Sequence, residues 1–170
     1  MDTASRPIYE FQGEHRFLSN FWPARVTLDN AEYPTVEHAY QAAKFTADQA
    51  GGTTGRWGIH PGTPFTIRQL IQAARSPGLA KTYGKMWPPR AGWEEVKLVV
   101  MEVLVRQKFT GPDAQPEGQN LAALLRGTGD AELVERNEWG DRFWGVYHGR
   151  GENHLGKILM KVRKEINDGL

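Results

Sequence analysis

The sequence predicts one α+β domain, mostly helical with a small β-hairpin component. Three observations predict it. The length of 170 residues allows one domain of ordinary size and little more. Apolar residues recur at helical spacing in several separate windows, whereas one window pairs short alternating segments across a turn dipeptide.

Taken in order, residues 1–15 are polar and irregular, so the domain is expected over 16–170. Residues 16–22, Arg-Phe-Leu-Ser-Asn-Phe-Trp, read as a strand-like aromatic stretch that Pro23 ends. Residues 25–28 alternate, Asp29-Asn30 is a turn pair and Glu32-Tyr33 follows, which predicts a hairpin. Thr35 caps a helix in which Val36, Ala39, Tyr40, Ala43 and Ala47 keep one face. Residues 48–65 form a glycine-rich loop of a length associated with binding. Thr66 and Gln69 make a capping-box pattern ahead of Ile67, Leu70, Ile71 and Ala74, a helix expected to stop near Ser76-Pro77-Gly78, with a further short helix over 79–85. Residues 93–109 mix β-branched residues with a length too great for a strand, and predict a largely buried helix. A loop over 110–118, a short helix over 119–126, a strand or turn over 132–135 and an irregular segment over 139–152 follow. Leu155, Ile158, Leu159, Val162 and Ile166 define a last helix, with Lys157, Lys161 and Lys164 on its other side as a solvated face.

Composition narrows the function. With 39% hydrophobic and 24% charged residues the chain is neither too polar to collapse nor apolar enough to need a bilayer. Lys+Arg 21 against Asp+Glu 20 leaves a charge of +1, which argues against a protein that coats nucleic acid and permits a local contact. The absence of cysteine removes disulfides, thiolate nucleophiles and thiolate metal sites. The start of the chain carries no apolar core of signal-peptide length, and no run approaches the roughly 18 apolar residues of a membrane span. A cytoplasmic protein without a membrane partner is expected; oligomeric state is not legible.

Several familiar motifs fail. There is no G-x-x-x-x-G-K-[ST], no G-x-G-x-x-G after a strand and no G-x-S-x-G, and His15, His38, His60, His148 and His154 lack metal-ligand spacing. No metal or cofactor is implied.

What remains is a polar row. On the helix from Thr35, Glu37, Gln41 and Lys44 fall in a sector about 60° wide beside the apolar stripe. Glu37 and Lys44 are seven positions apart, roughly 10 Å along the axis, too far for an ordinary i, i+4 surface pair. On spacing alone the row reads first as an exposed amphipathic edge. The alternative is a shared cleft, with the carboxylate moving protons and the amine acting as nucleophile. Aromatics cluster near turns: Phe17, Phe21 and Trp22; Trp57; Trp87 and Trp93; Trp139, Phe143, Trp144 and Tyr147. Most must be core, and a few, with Phe17, Trp87 and Trp144 as candidates, can stack on a flat base. Asp141-Arg142-Phe143-Trp144-Gly145 is a turn suited to holding a ribose hydroxyl, and Asn153 reads first as a helix N-cap, with ligand binding as the second reading.

Longer blocks carry a resemblance. Phe17-Leu18-Ser19-Asn20-Phe21, then Tyr33-Pro34-Thr35-Val36-Glu37-His38-Ala39-Tyr40-Gln41-Ala42-Ala43-Lys44-Phe45, then Trp144-Gly145 and Asn153-His154-Leu155-Gly156-Lys157-Ile158-Leu159-Met160 resemble the NADAR (NAD- and ADP-ribose-associated) superfamily over residues 16–164. The resemblance implies a compact, mostly helical α+β catalytic domain that cleaves N-glycosidic bonds at ribose C1. Two activities go with it: removal of ADP-ribose from guanine bases of DNA or RNA, at ends or flipped-out bases, and hydrolysis of ribosylaminopyrimidine phosphates of riboflavin synthesis. It implies Glu37 as the acid, Lys44 as the lysine of a Schiff-base intermediate, and Asp141 in the D-x-x-W-G turn as a third catalytic group. It further implies substrate contacts at Phe17, Ser19, Asn20, Tyr40, Gln41, Trp144 and Asn153, to which the aromatic clusters add Trp87. Residues 51–64 and 139–152 depart from the pattern and are expected to rim the cleft. A rival of another class is a module that holds ADP-ribose or NAD without cleaving it; intact Glu37 and Lys44 argue against it.

Overall fold

The computed structural model describes residues 6–52, 64–112, 114 and 118–169. A 3-10 helix, Gly13–Leu18, stands where a strand-like stretch is expected. The reason is burial: Phe17 and Leu18 are adjacent and both enter the core, which the alternation of a strand does not allow. Ahead of it, Ile8 bridges to Leu133 and Phe11 is buried.

The predicted hairpin forms from β1 (Val26–Leu28) and β2 (Ala31–Tyr33), in the register Val26 to Tyr33 and Leu28 to Ala31. Asp29 and Asn30 both take positive φ, 49° and 63°, the conformation that a two-residue turn matched to strand twist demands. Helix α1 (Val36–Ala43) is capped by Thr35 as expected, but it closes at Lys44, and Ala47 lies exposed beyond it. All eight of its residues are buried, packed by α2, α3, α4 and the hairpin, so it is a central helix with no solvent-exposed edge.

A second antiparallel pair, β3 (Ala50–Gly52) and β4 (Phe65–Thr66), closes the glycine-rich stretch read as loop; residues 53–63, Trp57 among them, lie outside the described residues. Helix α2 (Ile67–Gln72) carries the full capping box of Thr66 and Gln69. Helix α3 (Pro77–Tyr83) begins earlier than sequence predicts, because Ser76 caps it and Pro77, which ends helices elsewhere, occupies its first turn.

Helix α4 (Trp93–Thr110) has the predicted length but is not largely buried. Trp93, Met101, Leu104, Val105, Lys108 and Phe109 face the interior, whereas Leu98, Val99 and Val103 are exposed, Val99 at 64%. The β-branched residues that suggested burial sit partly on the solvent face. Part of the loop expected over 110–118 falls on residues outside the description. Helices α5 (Leu121–Gly127) and α6 (His154–Asn167) pack against α4 and against each other. The α6 lysines face outward, with Lys161 bound to Glu102 and Lys164 to Asp168. Between α5 and α6 the chain is held by single bridges, Ile8 to Leu133 and Arg136 to Val146. Among the described residues no helix is long and apolar enough to cross a membrane.

Candidate active site

The site starts from α1. Because this helix is wrapped on every side, its polar row is forced inward: Glu37 is 6% exposed and Gln41 3%. The exposed-edge reading of the row therefore fails, and the shared cleft is what forms. Glu37, Tyr40, Gln41 and Lys44 line one side of a cavity of about 450 Å³. The Glu37 amide donates to the Asn20 carbonyl (3.1 Å), which seats the start of α1 against Ser19 and Asn20, both of which line the cavity.

Within the row, the Gln41 Nε2 donates to Glu37 Oε1 at 2.8 Å. Lys44, half-buried at the helix C-cap, has its Nζ 3.5 Å from the Gly84 carbonyl and 5.8 Å from the Tyr40 ring centre. Burial holds the Glu37 carboxyl above its ordinary range, against the pull of Lys81, Gln41, Lys44 and Lys85. Burial also lowers Lys44; the Glu37 charge opposes this, while Lys85 and Lys81 reinforce it. An acid inclined to keep its proton thus shares a cavity with an amine inclined to lose one, the poise that proton transfer and amine nucleophilicity need.

A second wall comes from irregular chain. Asp141 lines the cavity, and its Oδ1 accepts from the amides of Phe143 (3.0 Å) and Trp144 (2.9 Å). Asn137 locks the same turn, its Nδ2 donating to the Asp141 carbonyl at 2.7 Å and its Oδ1 accepting the Asp141 amide at 2.9 Å. The Trp144 ring meets Tyr40 edge-on at 5.4 Å, which joins the two walls.

Of the sequence-predicted residues, Glu37, Lys44, Asp141, Ser19, Asn20, Tyr40, Gln41 and Trp144 meet in this cavity, and three do not. Phe17 is buried in the core, Trp87 packs edge-on against Phe45 at 6.5 Å, and Asn153 is buried away from the cavity. Asn153 holds the N-cap position of α6 without capping it; its Nδ2 donates to the Leu133 carbonyl (2.9 Å) and its Oδ1 accepts from the Glu135 amide (3.1 Å). Sequence reasoning missed Lys81, Lys85, Glu94, Lys97 and Glu135 in the lining. Lys81 and Lys85 are an i, i+4 pair whose spacing was readable, whereas Glu135 lies in a segment with no periodicity to read. His38 is structural: it bonds Thr35 Oγ1 (2.8 Å) and the Ala74 carbonyl (3.0 Å). Among the described residues no cluster of His, Cys, Asp and Glu could hold a metal ion.

The NADAR domain family matches residues 9–167. The chain belongs to the NADAR family. It is 34% identical to the N-glycosidase YbiA of Escherichia coli over 94% of this chain and 86% of that one, and 35% identical to an N-glycosidase of Nostoc punctiforme over 95% and 92%. A riboflavin biosynthesis protein of Vibrio vulnificus is 33% identical over 96% of this chain, which spans 39% of that protein's length. The solution structure of Escherichia coli YbiA superposes with a TM-score of 0.73 at 31% identity, covering 98% of this chain and 88% of YbiA. This NADAR domain shares its compact α+β architecture with that structure.

Proposed function

We propose that this chain is an N-glycosidase that removes ADP-ribose from guanine bases of nucleic acid through an imine between Lys44 and ribose C1. One observation carries the reading: a desolvated lysine and a protonatable glutamate from the same buried helix open into one cavity. The C1–N bond breaks with its electron pair staying on the guanine nitrogen, which receives a proton from a carboxyl of the cavity, while Glu37 relays the protons of Nζ. Nζ bonds to C1, the opened sugar becomes an imine, and water releases the free sugar. Asn20, Gln41 and Tyr40 offer polar groups to the ribose, and Trp144 offers a flat face to a base.

Cleavage of ribosylaminopyrimidine phosphates is the second reading, favoured by the Vibrio vulnificus relative named for riboflavin biosynthesis. Incubation with an ADP-ribosylated guanine oligonucleotide, and separately with a ribosylaminopyrimidine phosphate, separates the two by which base is released. Borohydride added during turnover is expected to fix the sugar on Lys44, and Lys44→Ala to give no adduct. Turnover without an adduct removes the imine step; tight ADP-ribose binding without product replaces the enzyme by a binding module.

A further inference from the structure

Two motifs converge on the main chain of a residue that neither contains. Asn153 accepts the Glu135 amide and holds the Leu133 carbonyl, while the Val146 amide donates to the Glu135 carbonyl at 2.8 Å. A Cβ on Gly145 would overlap the Glu135 carbonyl oxygen, and one on Gly156 would overlap the Leu133 carbonyl oxygen and the Asn153 amide group. Trp144-Gly145 and Asn153-His154-Leu155-Gly156 therefore place glycine wherever a side chain would push residues 133–135 away. What this clamp fixes is the main chain of Glu135, the residue that lines the cavity together with Glu37, Lys44 and Asp141.

We propose that Glu135 is the acid–base carboxyl at the scissile C1–N bond, the outer member of the relay whose inner member, Glu37, moves the protons of Nζ. This rests on the N-glycosidase reading above. Lys44 reaches C1 from α1, so the displaced nitrogen departs away from that helix, and Glu135 enters the cavity from a separate segment beside Asp141 and Trp144. The amides of Phe143 and Trp144 donate to the Asp141 carboxylate, so Asp141 serves the turn, and Glu135 is the other carboxyl that this wall offers to the cavity. Burial pushes the Glu135 carboxyl up to about 7, with Asp141 and Glu37 adding to the rise and Lys81 opposing it; Lys44, Lys85, Glu94 and Lys97 are the other charges of the lining.

The protons balance over one turnover. The Glu135 proton bonds to the departing nitrogen as that nitrogen keeps the C1–N pair and Nζ bonds to C1; the bond from C1 to the ring oxygen then breaks with its pair on the oxygen, which takes an Nζ proton carried by Glu37 as C1=Nζ forms. Water then bonds to C1, the C=N pair returns to Nζ, and the water proton goes to Glu135 and restores its acid form. Glu37 carries the hydroxyl proton of the adduct to Nζ as the C1–Nζ bond breaks and the sugar carbonyl forms. One carboxyl acting first as acid and then as base is the economy of retaining glycosidases.

The test compares wild type with Glu135→Gln and Glu135→Ala on whichever of the two substrates above wild type cleaves, following base release. Both variants are expected to lose at least about 100-fold in kcat with KM little changed, and added formate to restore Glu135→Ala but not Lys44→Ala. A rate in Glu135→Gln within about threefold of wild type, or a loss in Glu135→Ala that formate leaves untouched, overturns the assignment; a role confined to packing gives the latter. A wild type that releases base without a Lys44 adduct counts against the imine alone, because base release reads Glu135 separately. If wild type cleaves neither substrate, the reading and the assignment fall together.

Discussion

The two walls of the cavity are built by different physics. Helix α1 is surrounded by α2, α3, α4 and the hairpin, so regular hydrogen bonding and packing dictate where Glu37, Gln41 and Lys44 point. The segment from Leu133 to Asn153 has no regular element, and side chains hold its backbone instead: Asn137 on Asp141, Asp141 on Phe143 and Trp144, Asn153 on Leu133 and Glu135. A helix carries its chemistry through spacing. An irregular wall carries it through a few specific amides and through glycines that let backbones touch, so single substitutions outside the cavity should reach the site from this wall more readily than from the helix.

The largest effect belongs to the helix and is chemical. Lys44→Ala is expected to lower turnover by at least about 10³-fold, as loss of a nucleophile does, while its melting temperature stays within a few degrees of wild type, because among the described residues the Lys44 Nζ makes a long bond to the Gly84 carbonyl and a distant contact with the Tyr40 ring. Steady-state kinetics beside thermal melts check it; a variant retaining a tenth of the activity takes the lysine out of the chemistry. Next comes the wall. Gly156→Ala puts a methyl into the Leu133 carbonyl and the Asn153 amide, so it should cost roughly 1–3 kcal/mol in urea unfolding and lower kcat as well, although Gly156 does not line the cavity. Unchanged kcat in a destabilised Gly156→Ala would mean that the clamp serves the fold alone.

The same contrast explains what was legible in the sequence. Thr35, the 66/69 capping box and the Asp29-Asn30 turn are local signals whose partners lie within a few residues, and each is found in the structure. The polar row was visible as spacing, yet its burial was not, because burial depends on which helices wrap α1. The strand read into residues 16–22 failed for the same reason, since only tertiary contact reveals that Phe17 and Leu18 are both inside. Asn153 sat at a recognisable N-cap position, but its partners are 18 and 20 residues upstream, and no local pattern announces a bond of that range. Glu135 was invisible because its place depends entirely on such bonds.

A smaller effect sharpens the contrast through pH. Glu135, whose carboxyl is raised from 4.5 to about 7, is better accommodated protonated in the fold than in the unfolded chain. Its contribution is complete below about 4.5 and is lost as pH rises through 7, an amount on the order of 3 kcal/mol; Glu37 has the same sign. Lys108 of α4 runs the other way. It is 1% exposed, donates to the Ser19 carbonyl at 2.7 Å, and burial lowers it from 10.5 to about 7. Its penalty is complete below 7 and fades as pH rises to 10.5, above which both states are neutral, and Lys44 shares that sign. Unfolding free energy measured in urea should therefore fall between pH 5 and 7 and recover between pH 7 and 10. Glu135→Gln should flatten the acid limb and Lys108→Met the alkaline one. A profile that rises through pH 5 to 7 would mean that Glu135 meets enough solvent or positive charge to ionise normally.

The smallest effect tests whether α1 stands by packing. Thr35 Oγ1 accepts the His38 amide at 3.3 Å and bonds the His38 ring at 2.8 Å, so Thr35→Ala removes the cap and one ring contact at a cost of about 1 kcal/mol. Eight consecutive buried residues still fix the helix after that loss, so Glu37 and Lys44 keep their places, and kcat should stay within about twofold of wild type. Urea midpoints and initial rates on the same preparation decide it. Should Thr35→Ala lower turnover as far as Gly156→Ala does, α1 leans on its cap as heavily as the irregular wall leans on Asn153, and packing alone does not hold the lysine in register.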